Sequence, residues 1–314
     1  MQQPAFAYVR HGQTPFFRLP TRDAGSDGLE AYRGVQAVLL GVPYDGGCTH
    51  HPGSRFAPYH VRRVSATTQG FHPTHRIDVF HALRCVDGGN AALPPFAPAM
   101  AREILQQEIA LVTSARARPF LVGGDHSITL PVLRALAEAH GPLAVLHVDA
   151  HLDTSTGELW GDAFHHGTPF RHAIEEGLIA RDALVQVGIR APWGAPDDDA
   201  LVKGHGGRVL SPFDLQDPRA LARELRGHFG ERPVYVSVDV DGFDPSFAPG
   251  TGTPVPCGLT PREVTALLRG LAGCRLVGMD VVEVCPALDH ADLTSLLAAH
   301  LLFEGLALAA LGGE

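Results

Sequence analysis

The sequence predicts an α/β fold: a parallel sheet with helices on both faces. Two observations carry this. Short apolar, β-branched runs recur along the chain, several of them followed by a glycine-rich loop and then by helical spacing, the pattern a parallel sheet requires. The residues with the most chemistry stand just past the ends of those runs, where ligands gather in parallel sheets. A length of 314 residues suits a broad sheet of this kind, and no linker, internal repeat or low-complexity tract divides it.

Residues 1–35 mix Pro, Arg, Gly and Asp and read as an N-terminal arm, extended or looped, of the sort that packs on a neighbouring subunit. Residues 36–314 then form one domain. Ala37 to Pro43 is the first strand, and the loop Tyr44–Gly53 leads to a helix near Val61. In that loop His50 and His51 are read either as a pocket wall or extra metal contact, or as surface histidines. Residues 99–114 show helical spacing at Ile104, Ile109, Leu111 and Val112. The strand Pro119–Val122 runs into Gly123-Gly124-Asp125-His126-Ser127, and a helix starts by Pro131, a first-turn proline. The strand Leu143–Val148 ends in Asp149-Ala150-His151-Leu152-Asp153. Ala183–Ile189 is a further strand, the turn-rich stretch after it holds Asp197, Asp198 and Asp199 at a helix start, and residues 218–229 are helical. The last strand, Val277–Pro286, carries Asp280 and Glu283 in an apolar run, so both need partners. An Ala- and Leu-rich helix from Leu293 to Leu311 closes the chain as core or subunit interface.

The strand Pro233–Val238 ends at Ser237-Val238-Asp239-Val240-Asp241-Gly242. Asp239 and Asp241 stand two apart, so the strand period puts both carboxylates on one side, where they would repel and take up protons unless a positive charge sits between them. A divalent metal is the simplest candidate. Positions 149, 151 and 153 repeat the alternation. His126, Asp149, His151, Asp153, Asp239 and Asp241 together form a nitrogen and oxygen donor set suited to Mn²⁺ or a similar first-row ion. Six donors exceed what one ion needs, so some carboxylates are expected to bridge two.

Composition narrows the class. Charged residues make up 19% and hydrophobic ones 45%, a globular balance. The net charge of −9 argues against a nucleic-acid partner and for a cationic ligand. No apolar run approaches the roughly 18–20 residues that span a bilayer, so no membrane partner is expected. Residues 1–20 lack a signal-peptide layout, which gives a cytoplasmic expectation. The five scattered cysteines read as reduced thiols.

GGDHS at 123–127, DAHLD at 149–153 and SVDVDGFDPSFAPGTGTP at 237–254 resemble the three metal-binding signatures of the ureohydrolase family, which holds arginase, agmatinase and guanidinobutyrase. The resemblance spans about Gly41 to Glu283, and the GTGTP tail with Gly258-Leu259-Thr260 is closer to the agmatinase and guanidinobutyrase branch. It implies a three-layer α/β/α fold of the arginase/deacetylase type and a binuclear Mn²⁺ centre, with Ni²⁺ or Co²⁺ as other fitting ions. It also implies hydrolysis of a small cationic guanidino substrate to urea and an amine, in a homo-oligomer, trimer or hexamer. Asp149 and Asp239 would bridge the ions, His126 and Asp153 would complete one shell, and His151 with Asp241 the other. HGTPF resembles the segment whose histidine shuttles a proton, which maps to His166 with His165 as the neighbouring alternative, and MDVVEV places the guanidinium-binding carboxylate at Glu283. Trp160 is read as lining a channel for an aliphatic chain, or as ordinary packing. Formimino compounds and guanidine itself are alternative substrates. A zinc deacetylase-like amidase is disfavoured because six donors fit two ions, and an inactive regulatory relative because no donor is lost. Cys257 and Cys285 are departures from the family pattern.

Overall fold

Eight strands hydrogen-bond in the order β4-β1-β5-β10-β9-β6-β7-β8, and every neighbouring pair is parallel. In chain order they are β1 (Ala37–Gly41), β4 (Cys85–Asn90), β5 (Arg118–Val122), β6 (Leu143–Val148), β7 (Ile179–Val187), β8 (Arg208–Leu210), β9 (Val234–Asp239) and β10 (Leu276–Val282); β2 (Phe71–His72) and β3 (Ile77–Asp78) form a separate two-residue hairpin. This computed structural model describes residues 2, 14–157 and 160–312.

The strand period sorts the core into two layers. Leu39, Phe120, Val122, Leu146, Val236 and Val238 face one side. There they pack with Val61 of helix Ala57–Ser65, Leu225 of helix Pro218–Phe229, Leu267 of helix Pro261–Gly270 and Leu302 of helix Leu293–Leu311. Leu40, Leu121, Val145 and Tyr235 face the other side, against Leu105 and Ile109 of helix Pro98–Ser114, Leu133 and Leu136 of helix Thr129–His140, and Phe170 of helix Pro169–Glu175. Helix, sheet, helix is the three-layer arrangement expected. Central strands buried on both faces have no need of polar alternation, which is why they read as continuous apolar runs.

Three departures from the sequence reading have physical causes. The described part of the arm, residues 14–35, packs on its own chain: Phe16 and Phe17 are fully buried, and the Phe16 and Phe17 amides donate to Asp87 Oδ2 (2.8 Å) and Ser65 Oγ (3.0 Å). Residues 1 and 3–13 lie outside the described residues. Helix Leu293–Leu311 does reach membrane-spanning length and apolarity, with a mean hydropathy of 1.7, but 78% of its window is buried in the protein. It is apolar all round because it lies under the sheet and is covered by neighbouring helices. Strands β4 and β8 and helices Pro169–Glu175 and Pro261–Gly270 were not read from the sequence. The last of these carries a capping box, Thr260 with Glu263, ahead of an amphipathic pattern.

Topology positions the site. Strand register puts Val122, Val281, Val238 and Val148 in one row across β5, β10, β9 and β6. The segments that follow that row carry His126, Glu283, Asp239 with Asp241, and Asp149 with His151 and Asp153, so four distant stretches open onto one end of the sheet.

Candidate metal centre and active site

His126 stands at the middle of the centre. It is fully buried, its Nε2 meets Ser237 Oγ at 2.9 Å, and its Nδ1 lies 3.1 Å from Asp149 Oδ2, 2.9 Å from Asp153 Oδ2 and 3.3 Å from Asp239 Oδ2. None of these three approaches has hydrogen-bond geometry, and Nδ1 is a buried atom without a hydrogen-bond partner. A nitrogen lone pair aimed among three carboxylates is the arrangement a cation completes. On the other side of Asp149, His151 Nδ1 lies 3.0 Å from Asp241 Oδ2 and 3.4 Å from Asp149 Oδ1. The potential donors fall into two overlapping groups, His126, His147, Asp149 and Asp153 in one, and Asp149, His151 and Asp241 in the other. These groups bring together five of the six residues predicted from the sequence, with Asp149 common to both; Asp239 belongs to neither and meets the centre through its 3.3 Å approach to His126.

The carboxylates are fixed from behind. The Ala150 amide donates to Asp241 Oδ1 (3.0 Å), the His151 amide to Asp149 Oδ1 (2.6 Å), the Asp241 amide to Asp239 Oδ1 (2.8 Å), and the Thr253 hydroxyl to Asp241 Oδ2 (3.1 Å). Gly242 allows the approach: a Cβ there would lie 2.8 Å from the Asp149 nitrogen. Asp153 and Glu283 both hold left-handed backbone, with φ of 51° and 61°, a conformation non-glycine residues adopt at some cost and which clusters at functional sites.

Electrostatics agree with a site built for positive charge. Burial, with Asp241 and Asp149 adding to it, raises Asp239 well above the carboxylate range. Burial alone would strip the proton from His126, but the Asp149, Asp153 and Asp239 carboxylates crowded around Nδ1 hold its pKa well above the usual value.

Two residues of the centre escaped the sequence reading. His147, inside strand β6, sends Nε2 to Asp149 Oδ2 at 2.7 Å, while its Nδ1 meets the Gln186 amide nitrogen at 2.9 Å. It stands two residues before Asp149 on the same face, a signal present in the alternation. Asp125, fully buried, accepts from the Gly47 amide (2.7 Å), and burial raises its pKa to about 6.

Glu283 and His166 meet beside the centre. Glu283 Oε1 accepts the His126 amide at 3.0 Å and faces His166 Nδ1 at 2.8 Å. The Thr49 amide points at His166 Nε2 (3.2 Å), which leaves the ring hydrogen on Nδ1 toward Glu283 in the neutral form. Burial opposes a charged ring, but Glu283 outweighs it and lifts the His166 pKa to about 9. His165 lines the same cleft, its Nδ1 accepting the Gly167 amide at 3.1 Å. His50 and His51 are exposed, with their rings 4.0 Å apart, and belong to neither donor group. Asp280, the other acid of the last strand, is satisfied by Thr129, Tyr235 and Ser237 hydroxyls at 2.6–2.7 Å. Cys257 is exposed and Cys285 buried, both free thiols.

A cleft of about 650 Å³ leads to Asp239 and Asp241 and is walled by His166, Trp160, Trp193 and Arg171. Trp160 stands at its wall, 56% exposed, and Trp193, which the sequence reading passed over, is 42% exposed.

Known proteins share this architecture. The chain is 44% identical over 302 residues to proclavaminate amidinohydrolase of Streptomyces clavuligerus, covering 94% of each chain. The solved structure of that enzyme superposes with a TM-score of 0.89 at 43% identity, over 98% of this chain and 99% of that one. Mitochondrial agmatinase of Gallus gallus is 39% identical, covering 94% of this chain and 85% of the relative. Arginase of Medicago truncatula superposes with a TM-score of 0.75 at 31% identity over 90% of each chain. Residues 35–307 match the arginase family as a whole, and with that match the chain belongs to the arginase family, the ureohydrolases.

Proposed function

We propose that this protein hydrolyses the guanidino group of a small linear guanidino compound to urea and an amine, on a pair of divalent ions, Mn²⁺ by the oxygen-rich donor set. The observation that carries the reading is Asp149, which belongs to both donor groups while His126 Nδ1 lacks a bond that an ion would supply. His126, Asp149, Asp153 and Asp239 would hold one ion, and His151, Asp149, Asp239 and Asp241 the other. When bound, two such ions supply water activated near neutral pH and positive charge for the transition state.

The chain's own groups do the rest. A guanidinium is cationic and resonance-stabilised, so it must be held with its central carbon presented to water. The Glu283 carboxylate is placed to accept its N–H groups in charge-assisted hydrogen bonds. His166, poised by Glu283 and Thr49, is placed to move a proton to the leaving nitrogen, so that urea and an ammonium depart. Loss of Asp239 removes a carboxylate shared between ions, whereas loss of Glu283 removes a substrate contact. We therefore expect Asp239→Ala to lose bound metal and urea release together, and Glu283→Gln to keep metal while turnover falls by about 100-fold or more. Metal analysis beside steady-state urea release checks this, and full metal with normal turnover in both variants would refute it.

Wall chemistry favours a tail without negative charge. Asp197 and Asp198 line the cleft with the two tryptophans, and Arg171, the one arginine among the described lining residues, already pairs with Glu175 (2.9 Å) and donates to the Thr154 and Ser155 carbonyls. Cations are attracted by such a rim, and among the described lining residues a carboxylate meets no lysine and no second arginine. Agmatine is expected to exceed 4-guanidinobutyrate in kcat/KM by about tenfold or more, a difference of ~1.4 kcal/mol. A preference for the acid would reject this assignment of the tail. A homo-oligomeric state is part of the same proposal, supported by the family resemblance.

A further inference from the structure

Cys48, at the tip of the loop between β1 and helix Ala57–Ser65, is half-buried beside the substrate-facing residues. A sulfur of Cys48, a ring nitrogen of His166 and a carboxylate oxygen of Glu283 all lie within 4.8 Å of one another. This trio shares no residue with the two donor groups around Asp149. Its chemistry also differs, because it alone of the three contains sulfur. Thiolate, imidazole and one carboxylate are the ligands that soft and borderline ions choose over Mn²⁺, and three protein ligands leave a fourth position for water. Burial and the neighbouring Glu283, Asp125 and Asp45 carboxylates push the Cys48 thiol up, so the free side chain stays protonated and is no nucleophile. The same negative surroundings attract a cation.

We propose that Cys48, His166 and Glu283 form an inhibitory site for a soft divalent ion such as Zn²⁺ or Cd²⁺, separate from the carboxylate-rich centre. On binding, the Cys48 S–H bond and one N–H bond of the His166 imidazolium break, S–metal and N–metal bonds form, the His166–Glu283 hydrogen bond gives way to the ion, and both protons pass to solvent with no change of oxidation state. The ion occupies the two side chains assigned above to the guanidinium and to proton transfer, so its inhibitory consequence rests on that functional reading. Its existence as a site does not.

The test uses Mn²⁺-loaded protein titrated with Co²⁺ and, separately, with Zn²⁺. Co²⁺ is expected to produce thiolate-to-metal charge-transfer absorption in the near ultraviolet that is lost in Cys48→Ser and Cys48→Ala and kept in Cys257→Ser, the exposed thiol. Zn²⁺ is expected to inhibit urea release competitively with the guanidino substrate, and to require about tenfold more ion or greater in Cys48→Ser, whose uninhibited rate stays near that of the natural protein. No charge-transfer band in the natural protein, a band that survives both Cys48 substitutions, or equal zinc inhibition with and without Cys48 would each overturn the proposal. A Cys48-dependent band in a protein that releases no urea from any guanidino compound supports the site and removes the hydrolase reading instead.

Discussion

His147 sits inside an apolar strand, fully buried, and both ring nitrogens are engaged, one by Asp149 and the other by Gln186 from the adjacent strand. Its alternation with Asp149 is the one local sign of its role, and the group that fixes its other nitrogen, Gln186, lies 39 residues away. Through Asp149 it acts on both donor groups. His147→Ala should therefore leave a shared carboxylate without its buried partner and weaken metal retention by about 10–100-fold, measured by competition with a chelator, while the fold survives. Normal retention would make His147 a packing residue only. Five of the six proposed donors, by contrast, were legible because strand alternation places 149, 151 and 153, and 239 and 241, on common sides, and His126 because it stands just past the apolar run Pro119–Val122. Glu283 was legible only through family resemblance, since an acid in an apolar strand also fits a structural ion pair.

At the scale of elements, Glu304 ties three of them together. It is buried in helix Leu293–Leu311, accepts Arg269 of helix Pro261–Gly270 through both oxygens (2.6–3.1 Å), and meets His72 of the hairpin at 3.1 Å. Burial would raise its pKa, but Arg269 and His72 prevail and lower it from the usual 4.5. The folded carboxyl thus ionises at lower pH than the unfolded one. Its contribution is whole above the unfolded value and is lost as pH falls through the folded value, where the unfolded chain binds the extra proton. Glu304→Gln should cost about 1–3 kcal/mol at pH 7 and much less near pH 3, read from urea unfolding of both proteins at the two pH values. A loss that is equal at both would show that the charge is not what matters. This helix also shows the limit of reading hydropathy along a single element: its apolar length matches a membrane span, and only the layers around it show that it is core.

For the whole molecule, parallel register gathers the ends of β5, β10, β9 and β6 on one edge and leaves buried like charges there. Ion binding at this edge, as proposed above, is open only to the folded state, so it would be linked to folding. Chelation of divalent metal is expected to lower the midpoint of thermal unfolding by about 5 °C or more, restored on adding Mn²⁺. A midpoint unchanged by thorough chelation would show that the carboxylates are held by protons and hydrogen bonds alone.

By itself the sequence determined the class of fold, most of the central strands and the donor chemistry, since these depend on period, propensity and residue type within short windows. Tertiary structure decided which strand ends are neighbours. Placement of β10 beside β5 brings Glu283 next to His126, 157 residues away, and the packing of two separate loops brings Cys48 and Thr49 to His166, which lies 117 residues beyond Thr49. Such contacts follow from strand order, and strand order is set by how whole helical layers pack, which no local pattern encodes.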